Sequence, residues 1–192
     1  KQKIIAMLKV NKNSIVLDLA SGSGDITRKI KEQYDCMCIS IDANMEMIDI
    51  AKKKTQEDSF NFIKGTAEYL PFRSLSFDYV IVSFGLRNFS NIPKSLKQIH
   101  RVLKKDGKFI CLEFSEVNNA IFKKIVNSYF KIIPKLGLLF AKNQFAYDYL
   151  IESIKKFPNQ VELSKKIRKA GFKETKVIDI IDGIAAIHIS EK

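Results

Sequence analysis

Seven short apolar runs punctuate this chain, and helical spacing separates the first five of them. The runs are Ile15–Leu19, Cys36–Asp42, Phe60–Lys64, Phe77–Phe84, Gly107–Phe114, Glu174–Ile181 and Ile184–Ser190. The first, second and fourth are apolar at nearly every position rather than at alternate ones, as strands buried on both faces require. Helices are expected over Ile26–Gln33, from Met45 behind the cap residue Asn44, and over Ile92–Leu103 with Pro93 in its first turn. Strands alternating with helices form right-handed crossover units, and these build a parallel sheet covered on both faces. The last two runs break the alternation. Only Asp182 and Gly183 part them, too little chain for a crossover, so they pair antiparallel. The expected fold is α/β: a doubly wound, mostly parallel seven-stranded sheet that ends in an antiparallel hairpin.

The 192 residues hold no Pro/Gly/Ser-rich linker and no shift in composition, so one domain over 1–192 is expected. The opening Lys1-Gln-Lys-Ile-Ile-Ala-Met-Leu-Lys reads as the middle of an amphipathic helix, without initiator Met or signal sequence, as in a chain that begins inside a longer protein. The longest apolar stretch, near Ile132–Ala141, is interrupted by Pro134 and Lys135 and falls well short of the ~20 residues a membrane span needs. A formal charge of +12 is spread over the solvent faces of every expected helix, except that Ala120–Tyr147 carries Lys123, Lys124, Lys131, Lys135 and Lys142 with no acid among them. Cys36, Cys38 and Cys111 fall on expected strands and read as small core residues in a reducing compartment. His100 and His188 lack ligand spacing to them, and no metal is expected.

The turn after the first strand, Asp18-Leu-Ala-Ser-Gly-Ser-Gly-Asp-Ile-Thr27, places Ala20, Gly22 and Gly24 where a doubly wound sheet brings its backbone against a ligand. A lone Gly-x-Gly turn is weak evidence, because glycine serves many turns through its left-handed conformation alone. Thr27 replaces the third glycine of the dinucleotide fingerprint, and Asp18 puts before the loop an acid that would repel phosphates but could orient loop amides or a cationic ligand; both favour a nucleotide-type cofactor without phosphates. Asp42 closes the second strand about the ~20 residues downstream at which an acid accepts ribose hydroxyls, and Asn44 relieves it of any capping duty. Thr66, Ala67, Glu68 and Ser83 end the third and fourth strands on the same edge, where ordinary turn chemistry is the competing explanation. Arg87 and Asn88 follow just outside the fourth strand. Arg87 is one of five arginines in a chain that otherwise uses lysine, and its planar cation suits an oxyanion, although composition alone would make it a surface residue.

With these residues in place, the chain resembles the ubiquinone/menaquinone biosynthesis C-methyltransferases nearly end to end. The resemblance is carried by Val16-Leu-Asp-Leu-Ala-Ser-Gly-Ser-Gly-Asp25, Ala67-Glu-x-Leu-Pro-Phe72, Ser83-Phe-Gly-Leu-Arg-Asn88, Leu112-Glu-Phe-Ser115, Tyr149-Leu-x-Glu-Ser-Ile154, Ala170-Gly-Phe172 and Gly183-Ile-x-Ala-x-His188. It implies a Rossmann-like methyltransferase fold and S-adenosylmethionine as cofactor. It also implies cofactor contacts from Thr27, Asp42, Thr66, Ala67 and Ser83, with Arg87 and Asn88 at a polyprenylated quinol whose ring carbon is methylated. Family members carry a further N-terminal segment that helps roof the site; this chain starts after it.

Methyl transfer to a ring carbon needs positioning, a base for the neighbouring hydroxyl and a stabiliser for the resulting oxyanion. Arg87 is the expected stabiliser, Asn88 the orienting group, and Tyr149 and Glu152 the candidate bases. Residues 118–147 are expected to cover the prenyl tail, with lysines at the rim favouring an anionic membrane surface, an ordinary helical pair packed on the core being the competing reading of equal weight. The expected location is the cytoplasm of a bacterium, peripheral on the inner membrane, or the matrix side of a mitochondrion. A homodimer or a quinone-synthesis complex is compatible with the sequence, and nucleic acid is not an expected partner. Methylation of another small molecule or of RNA, and a non-catalytic cofactor-binding role in a quinone-synthesis complex, are the competing readings.

Overall fold

The computed structural model describes residues 1–55, 61–120, 124 and 144–192. Its strands are β1 (Ile15–Leu19), β2 (Met37–Asp42), β3 (Asn61–Lys64), β4 (Phe77–Ser83), β5 (Leu103–Phe114), β6 (Thr175–Ile180) and β7 (Ala185–Glu191). Its helices are α1 (Gln2–Ile5), α2 (Asp25–Gln33), α3 (Met45–Thr55), α4 (Ile92–Val102), α5 (Gln144–Lys156) and α6 (Gln160–Lys169), with a 3₁₀ turn at Leu86–Asn88. The strands join in one sheet in the order β3-β2-β1-β4-β5-β7-β6. β1 to β5 pair in parallel, while β7 runs antiparallel to both β5 and β6.

Successive strand residues point to opposite faces, and the core divides accordingly. Leu17, Val80 and Val82 meet Leu96 and Ile99 of α4 and Leu163 and Ile167 of α6 on one face. Val16, Ile81 and Ile110 meet Ile4 and Ile5 of α1 and Ile26 and Ile30 of α2 on the other. These four helices each bury one apolar stripe, and the sheet is covered on both faces at its centre. The chain leaves β1 in one direction, towards β2 and β3, and later returns to its other side as β4. Carboxyl ends of strands on either side of such a reversal leave a crevice between their loops.

Most elements differ from the sequence reading by one residue at one or both ends, and two departures change the local course of the chain. β5 begins at Leu103, directly after α4, because Phe77 already pairs with Leu103; the register then shifts between Phe77 and Tyr79, across a bulge where Asp106 takes φ 61°. The closing turn is wider than Asp182-Gly183: Ile181, Asp182 and Gly183 all take positive φ (49°, 53° and 93°), and the Asp182 carboxylate accepts the Asn119 N–H. The three cysteines are buried and unpaired. Most of the expected tail-covering stretch 118–147 lies outside the described residues. Among those described, no helix is long and apolar enough to cross a membrane, and no cluster of His, Cys, Asp and Glu could hold a metal ion.

Candidate active site

A cleft of about 460 Å³ opens at the carboxyl ends of β1, β2 and β4, where the strand order reverses. The loop after β1 forms its floor by turning left-handed three times, at Ala20 (φ 57°), Gly22 (55°) and Gly24 (74°). Two hydrogen bonds from β2 hold that loop. The Ser21 N–H donates to the Ile41 carbonyl at 3.2 Å, and the Gly22 N–H donates to Asp42 Oδ2 at 2.7 Å. Asp42 Oδ1 also accepts the Asn44 N–H at 2.8 Å, so one carboxylate ties the glycine loop to the start of α3. Opposite, Phe84 (φ 58°) leads into Gly85, where an added Cβ would lie 2.6 Å from the Ala20 Cβ. The two loops touch, and only glycine fits there. Positive φ at the non-glycine residues Ala20 and Phe84 costs about 1 kcal/mol or more each, a strain that persists where the surrounding structure imposes it, often at a site.

The chemistry of the lining suits a nucleoside rather than a dinucleotide. Lys1 is the one cation among the lining residues, while Asp42 and Glu68 contribute carboxylates, so a pyrophosphate would meet repulsion. Ser21 Oγ and Ser83 Oγ line the cleft, are buried, and have no hydrogen-bond partner among the described residues. Buried hydroxyls left in that state cost stability unless something bonds them, and a polar ligand in the cleft would do so. Glu68 Oε1 accepts the Asn91 N–H at 3.0 Å, which fixes the cleft's far wall to the cap of α4.

Of the cofactor residues expected from sequence, Ala20, Gly22, Asp42, Thr66, Ala67 and Ser83 line this cleft, and Asn88 stands at its end. Asp18, Gly24 and Thr27 do not. Asp18 is 1% exposed, and its Oδ2 accepts both the N–H (3.1 Å) and the Oγ1–H (2.6 Å) of Thr27. Thr27 is fully buried and shares a 2.5 Å hydrogen bond with Ser40 Oγ. Asp18 and Thr27 therefore brace the loop from behind. Parallel register explains it: Asp18 pairs with Ser40, two residues short of Asp42 at the sheet edge. Burial pushes the Asp18 carboxyl up to about 6, against the opposing effect of the Thr27 hydrogen bonds. Gly24 is needed for packing, since a Cβ there would sit 3.2 Å from Ala51 Cβ and from the Phe62 ring.

Arg87, for which a surface position was the competing reading, is largely buried. Its guanidinium lies outside the main cleft, 2.8 Å from Glu113 Oε1 in an ion pair whose side chains are 11% and 1% exposed. Nη1 donates to the Phe84 carbonyl as well, and Nε donates to Ser153 Oγ of α5 at 3.3 Å. Glu113 Oε2 accepts the Arg87 backbone N–H at 3.2 Å. Burial holds the Glu113 carboxyl above the usual carboxylate range, with Arg87 pulling the other way. A second cleft of about 210 Å³, lined by Arg87, Ile92, Tyr149 and Phe157 among others, lies on the α5 side. Tyr149 Oη donates to Asn88 Oδ1 at 3.0 Å, so Arg87 and Asn88 are each gripped by one face of α5. The candidate base Glu152 is solvent-exposed and its hydrogen bond from Lys156 holds it below the usual carboxylate range, which disfavours proton abstraction there.

Sequence reasoning passed over Glu113 and Ser153, although both fall within the quoted motifs Leu112-Glu-Phe-Ser115 and Tyr149-Leu-x-Glu-Ser-Ile154. An acid at the end of a buried strand is the signal that could have found Glu113, because such a charge needs a cation.

Comparison with known proteins gives concordant results. A model described as the ubiE/COQ5 methyltransferase family matches residues 1–192. The ubiquinone/menaquinone biosynthesis C-methyltransferase UbiE of Rickettsia prowazekii (strain Madrid E) is 44% identical over 192 residues, covering 95% of this chain and 77% of that protein. Its counterpart in Rickettsia bellii (strain OSU 85-389) is likewise 44% identical with the same coverage. Among solved structures, an S-adenosylmethionine-dependent methyltransferase of Thermotoga maritima superposes with a TM-score of 0.72 at 22% identity, over 100% of this chain and 86% of that one. A methyltransferase of Haloferax volcanii in complex with the Trm112 activator gives 0.73 at 19% identity, over 99% and 87%. At those identities the structures speak for the fold.

Proposed function

We propose, for a chain that belongs to the ubiE/COQ5 methyltransferase family, that it methylates a ring carbon of a polyprenylated hydroquinone in quinone biosynthesis. It is an S-adenosylmethionine-dependent C-methyltransferase of Rossmann-like fold. The observation that carries the site assignment is the cleft at the strand reversal, with a carboxylate on its glycine loop and two buried, unpartnered hydroxyls in its walls. Asp42 and the backbone of Ala20 to Gly22 would hold the nucleoside, Ser21 and Ser83 its polar edges, and Thr66 and Ala67 the remaining wall. S-adenosylmethionine supplies an activated methyl group on a sulfonium.

The remaining work is positioning and charge. Asn88 accepts from Tyr149 through Oδ1, which leaves its Nδ2 to donate to an acceptor hydroxyl at the end of the cleft. Arg87 lies one residue before it, on the α5 side, and its positive charge favours an acceptor that has lost a phenolic proton. The Glu113 carboxylate neutralises part of that charge, so the pair acts as an oriented dipole rather than a bare cation. Closely packed loops at Ala20 and Gly85 narrow this part of the cleft, which would limit the geometries open to the acceptor.

Demethylnaphthoquinol and a methoxybenzoquinol are both acceptors of the required chemistry, and their prenyl tails favour a membrane, to whose anionic surface the lysines of the sequence stretch Ala120–Tyr147 would be attracted. The test is turnover of the complete protein with each quinol, alongside Arg87→Lys, which keeps the charge but loses the planar fork. A tenfold or greater loss with unchanged cofactor affinity is expected. Undiminished turnover by Arg87→Lys would refute the role given to Arg87.

A further inference from the structure

Arg87 and Asn88 sit on a three-residue 3₁₀ turn, Leu86–Asn88, which has too few internal hydrogen bonds to fix two side chains by itself. What fixes it comes from elsewhere. Glu113 reaches across from the end of β5 with both oxygens engaged: Oε2 takes the Arg87 backbone N–H, while Oε1 takes Arg87 Nη1 at 2.8 Å and the Phe114 N–H at 2.9 Å. One side chain thus holds the turn's backbone and its guanidinium at the same time. A carboxylate 1% exposed is costly to maintain, and replacing a buried ion pair by apolar residues of similar shape is often neutral or stabilising. Stability alone is therefore a weak reason for this pair to be here. Position is a stronger one, because the pair's outer member lines the smaller cleft beside α5 and its inner member touches neither cleft.

We propose that Glu113 is a positioning residue for methyl transfer, which aims the Arg87–Asn88 turn at the acceptor by binding Arg87 through backbone and side chain together. This rests on the reading that Arg87 faces the acceptor. Glu113 acts through Arg87 and not through the cofactor, so its loss slows the chemical step more than it weakens binding of either substrate.

Glu113→Gln keeps the shape and one acceptor oxygen but removes the charge. In the complete protein, kcat is expected to fall at least tenfold, with the KM for quinol changed less than threefold and the Kd for S-adenosylhomocysteine changed less than twofold. Combining it with Arg87→Lys should cost no more than the worse single change, since both act on one element. Should Glu113→Gln melt below the assay temperature, Glu113→Asp carries the test. It keeps the charge and shortens the reach by one methylene, and the same loss in kcat is expected.

If Arg87→Lys is impaired while a folded Glu113→Gln retains kcat within twofold, the positioning role is overturned and the proposed function stands. Loss in Glu113→Gln that appears as weaker cofactor binding, or that multiplies with Arg87→Lys, also overturns it. If Arg87→Lys is itself unimpaired, the assignment of Arg87 fails first.

Discussion

Replacing Asp18 by Asn isolates one buried charge and gives a signed expectation. The Asp18 carboxyl is 1% exposed and is pushed up to about 6 from an ordinary 3.8, mainly by burial. The folded protein therefore holds a proton there between pH ~4 and ~6 that the unfolded chain has already released. Where the folded state binds more protons, stability falls as pH rises. About two pKa units at 1.36 kcal/mol each make this loss about 3 kcal/mol between pH 4 and pH 7. In Asp18→Asn the amide oxygen still accepts the Thr27 N–H and hydroxyl, but nothing ionises. The melting temperature of the variant relative to the parent should then climb through this window, by roughly 6–12 °C at ~2–4 °C per kcal/mol. Differential scanning calorimetry in steps from pH 4 to pH 8 reads it directly, and other titrating groups cancel in the difference. Because Asp18 braces the loop from behind, S-adenosylhomocysteine affinity at pH 7 should stay within threefold. Parallel melting curves for the two proteins would refute the burial argument; a large loss of affinity would put Asp18 back in the cleft.

Other expectations follow from the same geometry. Asp42→Ala removes the acceptor of the Gly22 and Asn44 amides and the partner proposed for the ribose, and should raise the Kd for S-adenosylhomocysteine tenfold or more by calorimetric titration, at about 1.5–3 kcal/mol for charged hydrogen bonds. Gly24→Ala places a Cβ at φ 74° and 3.2 Å from Ala51 and Phe62; a cost of about 1–2 kcal/mol should appear in urea unfolding. Tyr149→Phe deletes the donor to Asn88 and should lower quinol turnover about fivefold at ~1 kcal/mol, with cofactor affinity unchanged.

The sheet was legible because strands buried on both faces cannot hide: Ile15–Leu19 and Phe77–Ser83 fill both core layers and read as continuous apolar runs. The closing hairpin was legible in its topology but not its turn, since Ile181 at positive φ has no local sequence signal. In the site, the sequence allowed Asp18 either to orient loop amides or to face a cationic ligand, and gave Asp42 the ribose. The pairing of Asp18 with Ser40, two residues short of Asp42, and its hydrogen bond from the Thr27 N–H favour the first for Asp18, and register is set between strands rather than within one. Glu113 was hidden for a related reason. Its partner Arg87 is distant in sequence, and the two meet because β4 and β5 are neighbours whose ends release the turn and the acid side by side. Asn88 was named from its motif, and its hydrogen bond from Tyr149 depends on how α5 docks against the turn.

The central claim is that methyl passes from S-adenosylmethionine to a ring carbon of a quinol in this cleft. It is tested most directly by incubating the complete protein with methyl-¹³C-labelled S-adenosylmethionine and demethylated naphthoquinol or benzoquinol, then locating the label by NMR. Label on a ring carbon, abolished by Asp42→Ala at limiting cofactor, is the expected result. Label on a quinol oxygen, or saturable cofactor binding with neither quinol methylated, would contradict it.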